Sequence, residues 1–302
     1  MSKKVVIIPT FCESHLIKCQ IPNLVDTINP DIIIYNEGMF PNGTEGNIRL
    51  TQDWLNKYTL DGLGKRGFDY KELVEVVNKA KEQYPNTQII LNEVQYEEGM
   101  SSTDCFVQST TNFKKLGITI EPGDYIFPLE GDVFHHENSK NEIENYLSQL
   151  KPDSGFRSRW IDFVENQYYV EELVYTPKCR SRRICIRFGT WEYYLNVVKQ
   201  FMHEFKYDML HPTDLITFHY AWWRPGKFRE LRFDQLQRDV LYWNFYRKGL
   251  DLAKTGKHQR IKIRYNRDDS DPAAFIRFTK ELEHPSHVKN HPCWEANTNF
   301  GT

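Results

Sequence analysis

The sequence predicts an α/β fold: a mostly parallel central sheet flanked by helices, followed by a helical carboxyl-terminal extension. Three observations carry that expectation. Residues 3–8 and 31–35 hold unbroken apolar runs with a helical segment between them. That order, strand then helix then strand, is the unit of a parallel sheet. Strands covered on both faces read as continuous apolar runs rather than as an alternation. A further run of this kind, 125–129, follows Pro122-Gly123 and ends in Glu130-Gly131-Asp132.

The remaining elements follow in order. Residues 3–8 form a first strand, and Pro9, Thr10 and Phe11 open the loop at its carboxyl end. Residues 17–28 form a helix interrupted near Pro22. The second strand, 31–35, ends at Asn36-Glu37-Gly38. Residues 41–67 are rich in glycine and polar residues and form an insertion, with a short helix at Trp54 and Leu55. Leu73, Val76, Val77 and Ala80 recur at helical spacing, which predicts a helix over 70–84. A third strand covers 87–91. Residues 98–110 are small and polar, and a helix over 108–116 carries Asn112 and Lys115 toward the strand that ends at Glu130.

After His136 the pattern changes. A helix over 141–150 precedes a segment, 155–175, that alternates aromatic and polar residues as antiparallel strands do. Residues 177–188 are basic. Thr190 is placed to cap a helix over 191–205. A strand over 215–220 leads into the loop Ala221-Trp222-Trp223-Arg224-Pro225-Gly226-Lys227. A long helix over 233–253, a basic strand over 260–265 and the histidines 284, 287 and 291 complete the chain. The division expected is one domain over 1–227 and an extension over 228–302 packed on it.

Composition narrows the function. The chain has 302 residues, 40% of them hydrophobic and 14% aromatic, enough for a sizeable core. A formal net charge of −2 gives no field that would draw nucleic acid. The six cysteines include no Cys-x-x-Cys pair, which points to free thiols in a reducing compartment. The opening apolar run, Val5 to Ile8, is too short for a signal peptide, and no stretch reaches the roughly 20 apolar residues that span a bilayer. A cytoplasmic protein with no transmembrane segment is expected.

The chemistry gathers at Glu130-Gly131-Asp132. Side chains two apart on an extended chain point the same way, so both carboxylates can aim at one point beyond the strand. Gly131 allows close approach of backbone and ligand. Ligands of open α/β sheets bind outside the carboxyl ends of the strands. Two hard oxygen donors there suit Mg²⁺ or Mn²⁺ better than zinc. An ordinary solvated turn is the simpler reading of the same residues.

With these parts placed, the chain resembles the GT-A glycosyltransferases, in particular the family 2-like enzymes. The resemblance rests on Asn112, Gly117, Gly123-Asp124-Tyr125-Ile126 and the acid-x-acid motif Glu130-Gly131-Asp132, and covers about residues 3–136, more loosely to 227. Glu130 stands where the family's DxD-type motif has aspartate. The resemblance implies a nucleotide-sugar donor, a uridine diphosphate sugar first, a glycan or other hydroxyl acceptor, and Mn²⁺ or Mg²⁺ as cofactor. His219 takes the place of the family's late histidine ligand, so Glu130, Asp132 and His219 would hold the metal. Pro9, Thr10 and Phe11 would flank the base, and Glu37 the base or ribose. Asn112, Lys115, Glu130, Gly131, Arg224 and Lys227 would lie along the donor. Glu192 and Asp214 are the two candidates for a catalytic base. Trp191, Trp222 and Trp223 are candidates for stacking on the acceptor.

Two other classes compete. A nucleotide- or glycan-binding protein on the same fold, without turnover, fits the departure at Glu130. A sugar-1-phosphate nucleotidyltransferase would want a glycine-rich, basic loop after the first strand, and residues 9–14 hold neither glycine nor a basic residue. A zinc site at His135 and His136, or at His287 and His291, lacks a third ligand at motif spacing.

Overall fold

A strand with apolar residues on both faces needs cover on both sides, and the computed structural model shows how this chain supplies it. It describes residues 2–39, 52–96, 102–163, 169–172, 181–203, 210–220, 223–236, 274–277 and 284–296. In the amino-terminal half, β1 (Lys4–Thr10), α1 (Ser14–Thr27), β2 (Ile32–Glu37), α2 (Gln52–Tyr58), α3 (Tyr70–Gln83), β3 (Gln88–Glu93), α4 (Ser102–Thr111) and β4 (Tyr125–Pro128) follow one another. Then come β5 (Val133–His135), α5 (Lys140–Gln149), β6 (Ser154–Phe163), β7 (Tyr169–Glu172), β8 (Ser181–Arg187), α6 (Trp191–His203) and β9 (His211–His219). The last described elements are α7 (Lys227–Leu236), β10 (Ala274–Arg277), a 3-10 turn at Ser286–Asn290 and α8 (Pro292–Ala296).

Alternate residues of the buried strands sort to two cores. Val6, Ile8, Ile33, Tyr35 and Phe127 pack under α1, α3 and α5 with Ile17, Leu24, Leu73, Val77, Ile143 and Leu147. Val5, Ile7, Ile32, Ile34 and Ile126 face the opposite way, toward Phe106, Phe113, Tyr194, Val197 and Val198 of the α4 and α6 side. That two-sided burial is why neither strand alternates in hydrophobicity.

The sheet is mixed, which corrects the mostly parallel expectation. Along it the order is β10-β7-β6-β8-β4-β1-β2-β3, with β9 joined to β6 and β5 to β9. The run β4-β1-β2-β3 is parallel, because a helical crossover follows each of its early strands. From β8 onward the pairs are antiparallel except β6 with β9. The alternating segment 155–175 predicts antiparallel strands, and β6 and β7 within it pair in that way in the main sheet.

Three local expectations change. α1 runs through Pro22 without a break. The hydrogen bond proline cannot make belongs to the carbonyl of exposed Lys18, so water can replace it. α4 starts at Ser102, earlier than the polar composition suggested. Its hydroxyls serve the helix, with Thr110 and Thr111 donating to the carbonyls of Phe106 and Val107. Residues 112–116 then tighten into a 3-10 turn that ends at Gly117, φ 69°. Thr190 does cap α6: its hydroxyl accepts from Tyr193 N at 3.3 Å.

In the carboxyl-terminal region, β10 pairs with β7, and Val288 and Cys293 pack beside Leu16, Phe218, Tyr220 and Trp223. The expected strand over 260–265 lies outside the described residues, as does most of the helix expected over 233–253. Among the described residues no helix is long and apolar enough to cross a membrane.

Candidate metal centre

The site is assembled by pairing. β4 lies parallel to β1, and Leu129 N donates to the Ile7 carbonyl at 3.1 Å. The chain then turns at Glu130-Gly131-Asp132 and enters β5. The Gln20 amide of α1 fixes that turn by donating to the carbonyls of Glu130, at 2.6 Å, and Val133, at 3.0 Å. Tyr35 in turn donates to Gln20 Oε1 at 3.3 Å. One turn along α1, Asn23 exchanges two hydrogen bonds with the backbone of His135. β5 runs antiparallel to β9 with Val133 opposite His219, and Tyr220 N donates to the Asp132 carbonyl at 2.9 Å. His219 therefore stands beside Asp132.

His219 Nε2 lies 3.2 Å from Asp132 Oδ1 and 3.8 Å from Glu130 Oε2. One ligand atom from each of the three falls within 4.8 Å of the other two. Neighbouring ligands on an octahedral Mg²⁺ or Mn²⁺ are about 3 Å apart and opposite ones about 4 Å, given bonds of about 2.1 Å. Two carboxylates and an imidazole at these separations fit such an ion. The Asp132 and His219 side chains are 8% and 11% exposed and that of Glu130 28%, so the group opens to solvent at Glu130. Among the described residues, only these three form such a group.

A buried arginine stands behind Asp132. Arg224 Nη2 lies 3.3 Å from Asp132 Oδ2 and 2.8 Å from Glu13 Oε1. Glu13 Oε2 also accepts from Thr10 Oγ1 at 3.1 Å. Burial pushes the Glu13 carboxyl above its usual range, against the pull of Arg224 and with a push from Asp132. Burial would lower Arg224, but Glu13 and Asp132 outweigh it and hold the guanidinium charged. Glu13 also lies against Gly131, where an added Cβ would collide with its Oε2. The glycine thus admits the carboxylate of the chain's own Glu13 to that face. Sequence reading passed over Glu13; a carboxylate at the entry to α1, just past β1, was the available signal.

Around this centre the other candidates are spread. Thr10 is buried at the end of β1, Pro9 precedes it within the strand, and Phe11 stacks on Trp54 at 6.2 Å. Glu37 is fully enclosed and its Oε1 accepts from Gly67 N at 2.9 Å, so it is no surface turn. Burial, then the neighbouring Asp69, holds its carboxyl well above the ordinary range. Asn112 donates to Asn36 Oδ1 at 2.7 Å, and Asn92 donates to the same oxygen at 2.8 Å, which ties the ends of β2 and β3 to α4. Lys115 is exposed. Lys227, also exposed, lies over the ring of Phe68 with 4.5 Å to its centroid.

Neither base candidate joins the triad. Asp214 is exposed on β9, five residues before His219 and within the register irregularity between Pro212 and Ile216. Glu192 is exposed in the first turn of α6, shortly after Phe188, which is bonded to Asp124 at the amino end of β4. The acid pair is at that strand's carboxyl end. Trp191 is 42% exposed and touches Phe113 and Phe188. Trp223 is buried among Tyr220, His291 and Trp294, which uses its ring for packing. Trp222 lies outside the described residues.

The other histidines go elsewhere. His135 is fully buried, and burial lowers it to about 4. His136 Nδ1 accepts from Asn138 N, His287 meets Asp26 at 2.7 Å, and His291 Nδ1 accepts from Cys293 N.

No protein-family model matches the chain, and no curated protein matches it. Among solved structures, the chain is similar to one from Bacillus anthracis described as a glucose-1-phosphate thymidylyltransferase in complex with a sucrose. That likeness is 9% in identity, covers 71% of this chain and 87% of the other, and has a TM-score of 0.29. So low a score carries no weight in the functional reading.

Proposed function

We propose that the protein is a divalent-metal-dependent glycosyltransferase that moves a sugar from a nucleoside diphosphate sugar, a uridine diphosphate sugar first, to a hydroxyl acceptor such as a glycan. The observation that carries this reading is the Glu130–Asp132–His219 group at the carboxyl end of the β4-β1-β2-β3 run. In an α/β sheet that is where ligands bind.

Glu130, Asp132 and His219 would hold Mn²⁺ or Mg²⁺, which supplies positive charge where the departing diphosphate gathers negative charge. Arg224, buried and fixed by Glu13, adds a guanidinium beside the same place, and charge-assisted hydrogen bonds from arginine suit phosphate oxygens. Lys227, in the first turn of α7, is exposed and able to reach a phosphate. Thr10, at the end of β1, and Phe11, just past it, would flank the base.

A second reading, a nucleotide- or glycan-binding protein without turnover, is favoured by the positions of Asp214 and Glu192 away from the triad. One experiment separates the two. Uridine diphosphate should raise the melting temperature with Mn²⁺ present and not in excess chelator, and a uridine diphosphate sugar should yield free uridine diphosphate. Stabilisation without release favours the binding protein. Equal stabilisation in chelator removes the metal from both accounts.

A further inference from the structure

We infer that Glu13, which ligates nothing, sets the cation affinity of the triad by holding Arg224 in a shared position between itself and Asp132. This deepens the metal reading above and rests on it.

Arg224 Nη2 is bonded to Glu13 at 2.8 Å and stands 3.3 Å from Asp132 Oδ2. The nearer acceptor has the firmer hold, so Asp132 keeps its other oxygen, Oδ1, toward His219. Glu13 is itself fixed by the Thr10 hydroxyl on Oε2 and by its seat against Gly131. Its carboxylate has no freedom to follow the arginine elsewhere. Asp132, His219 and Arg224 are buried and the Glu13 side chain is only 13% exposed, so these charges act on one another through less screening than at a surface.

Two consequences of opposite sign follow. Neutralising Glu13 removes a negative charge near the cation position and weakens the pull that draws Arg224 away from Asp132. The guanidinium then competes directly with the cation for a ligand. Neutralising Arg224 removes a positive charge and the competitor together. A role confined to holding the fold would give no such reversal: each change would loosen the site and weaken binding.

The test is calorimetric titration of Mn²⁺ alone into the apo full-length chain, with circular dichroism confirming that each variant is folded. Glu13→Gln should weaken Mn²⁺ about tenfold or more, and Arg224→Gln should tighten it several-fold. The double variant should return to within about threefold of wild type, because it removes one negative and one positive charge together and the guanidinium can no longer compete. Glu13→Asp keeps the charge and should lie close to wild type. Mn²⁺ affinity unchanged in Glu13→Gln, or weakened in Arg224→Gln, overturns the inference. If Glu13→Gln does not fold, Arg224→Gln alone decides it: tighter binding supports the inference, and equal or weaker binding overturns it. Failure of the metal reading itself looks different: wild type would then take up no Mn²⁺, and Asp132→Ala would change nothing.

Discussion

His219 sits opposite Val133 across the antiparallel pair β5–β9, and that register puts its imidazole 3.2 Å from Asp132 Oδ1. The ladder places His219, and the hydrogen bond from Tyr220 N to the Asp132 carbonyl ties the turn to it. Side chains carried on a strand are held more closely than those on a loop.

The first prediction concerns that pair. Asp132→Ala should lose roughly two decades or more of donor-sugar cleavage, since metal stabilisation of a leaving charge amounts to several kcal/mol. His219→Ala should lose less, because water can take a ligand position. The double variant should be little worse than Asp132→Ala, as members of one unit are non-additive. Single-turnover release of nucleotide measures all three, and full additivity would assign His219 to packing.

Gly131→Ala should cost about 1–3 kcal/mol and most of the activity. A Cβ there meets Glu13 Oε2, which accepts from Thr10, on a carboxylate whose Oε1 accepts from Arg224. Urea denaturation reads the stability. An unchanged midpoint would show that Glu13 moves aside freely.

Acid sensitivity should be traceable to His135. Its folded value is about 4 against 6.5 for the free side chain, burial is the cause, and among the described residues neither ring nitrogen has a hydrogen-bond partner. A depressed histidine means that the unfolded chain binds the proton first. Stability must then fall as pH drops from about 6.5 toward 4, by about 3 kcal/mol from this group. His135→Leu should flatten that part of the curve. The measurement is the wild-type-minus-variant difference in unfolding free energy between pH 7 and 4. A constant difference would refute it.

Glu37→Ala should lower stability by about 2 kcal/mol and, because its carboxylate is enclosed, should weaken nucleotide binding only through the Gly67 backbone it holds, leaving the metal dependence intact. Losing the carboxylate leaves the Gly67 N–H without its acceptor in a buried place. Glu37→Gln keeps an acceptor and should cost less. Thermal unfolding with and without uridine diphosphate separates the parts. A nucleotide affinity unchanged in Glu37→Ala would make Glu37 a structural residue only.

Much of the centre could be read locally. The apolar runs of β1, β2 and β4, the amphipathic spacing of α3 and the cap at Thr190 depend on neighbours a few positions apart, so their signals survive in a linear chain. The placement of Glu130 and Asp132 just past a buried strand is legible for the same reason: it needs only a strand's end and its period of two. The Trp residues could not be sorted from local sequence, because a large aromatic ring serves a core or a ligand equally well. Burial alone separates Trp223 from Trp191.

The sequence by itself determined the buried strands, their crossover helices and the position of two carboxylates at a strand end. Tertiary structure decided the rest. The antiparallel half of the sheet, the enclosure of Glu37 behind Gly67, and the meeting of Glu13 with Arg224 across 211 positions all depend on long-range register. Register follows from how whole faces pack and how strands pair at a distance, and no local periodicity specifies which strand will lie beside which. That is why Glu13, one charged residue among many in the chain, shows its place in the site only once β1, β5 and β9 are brought together.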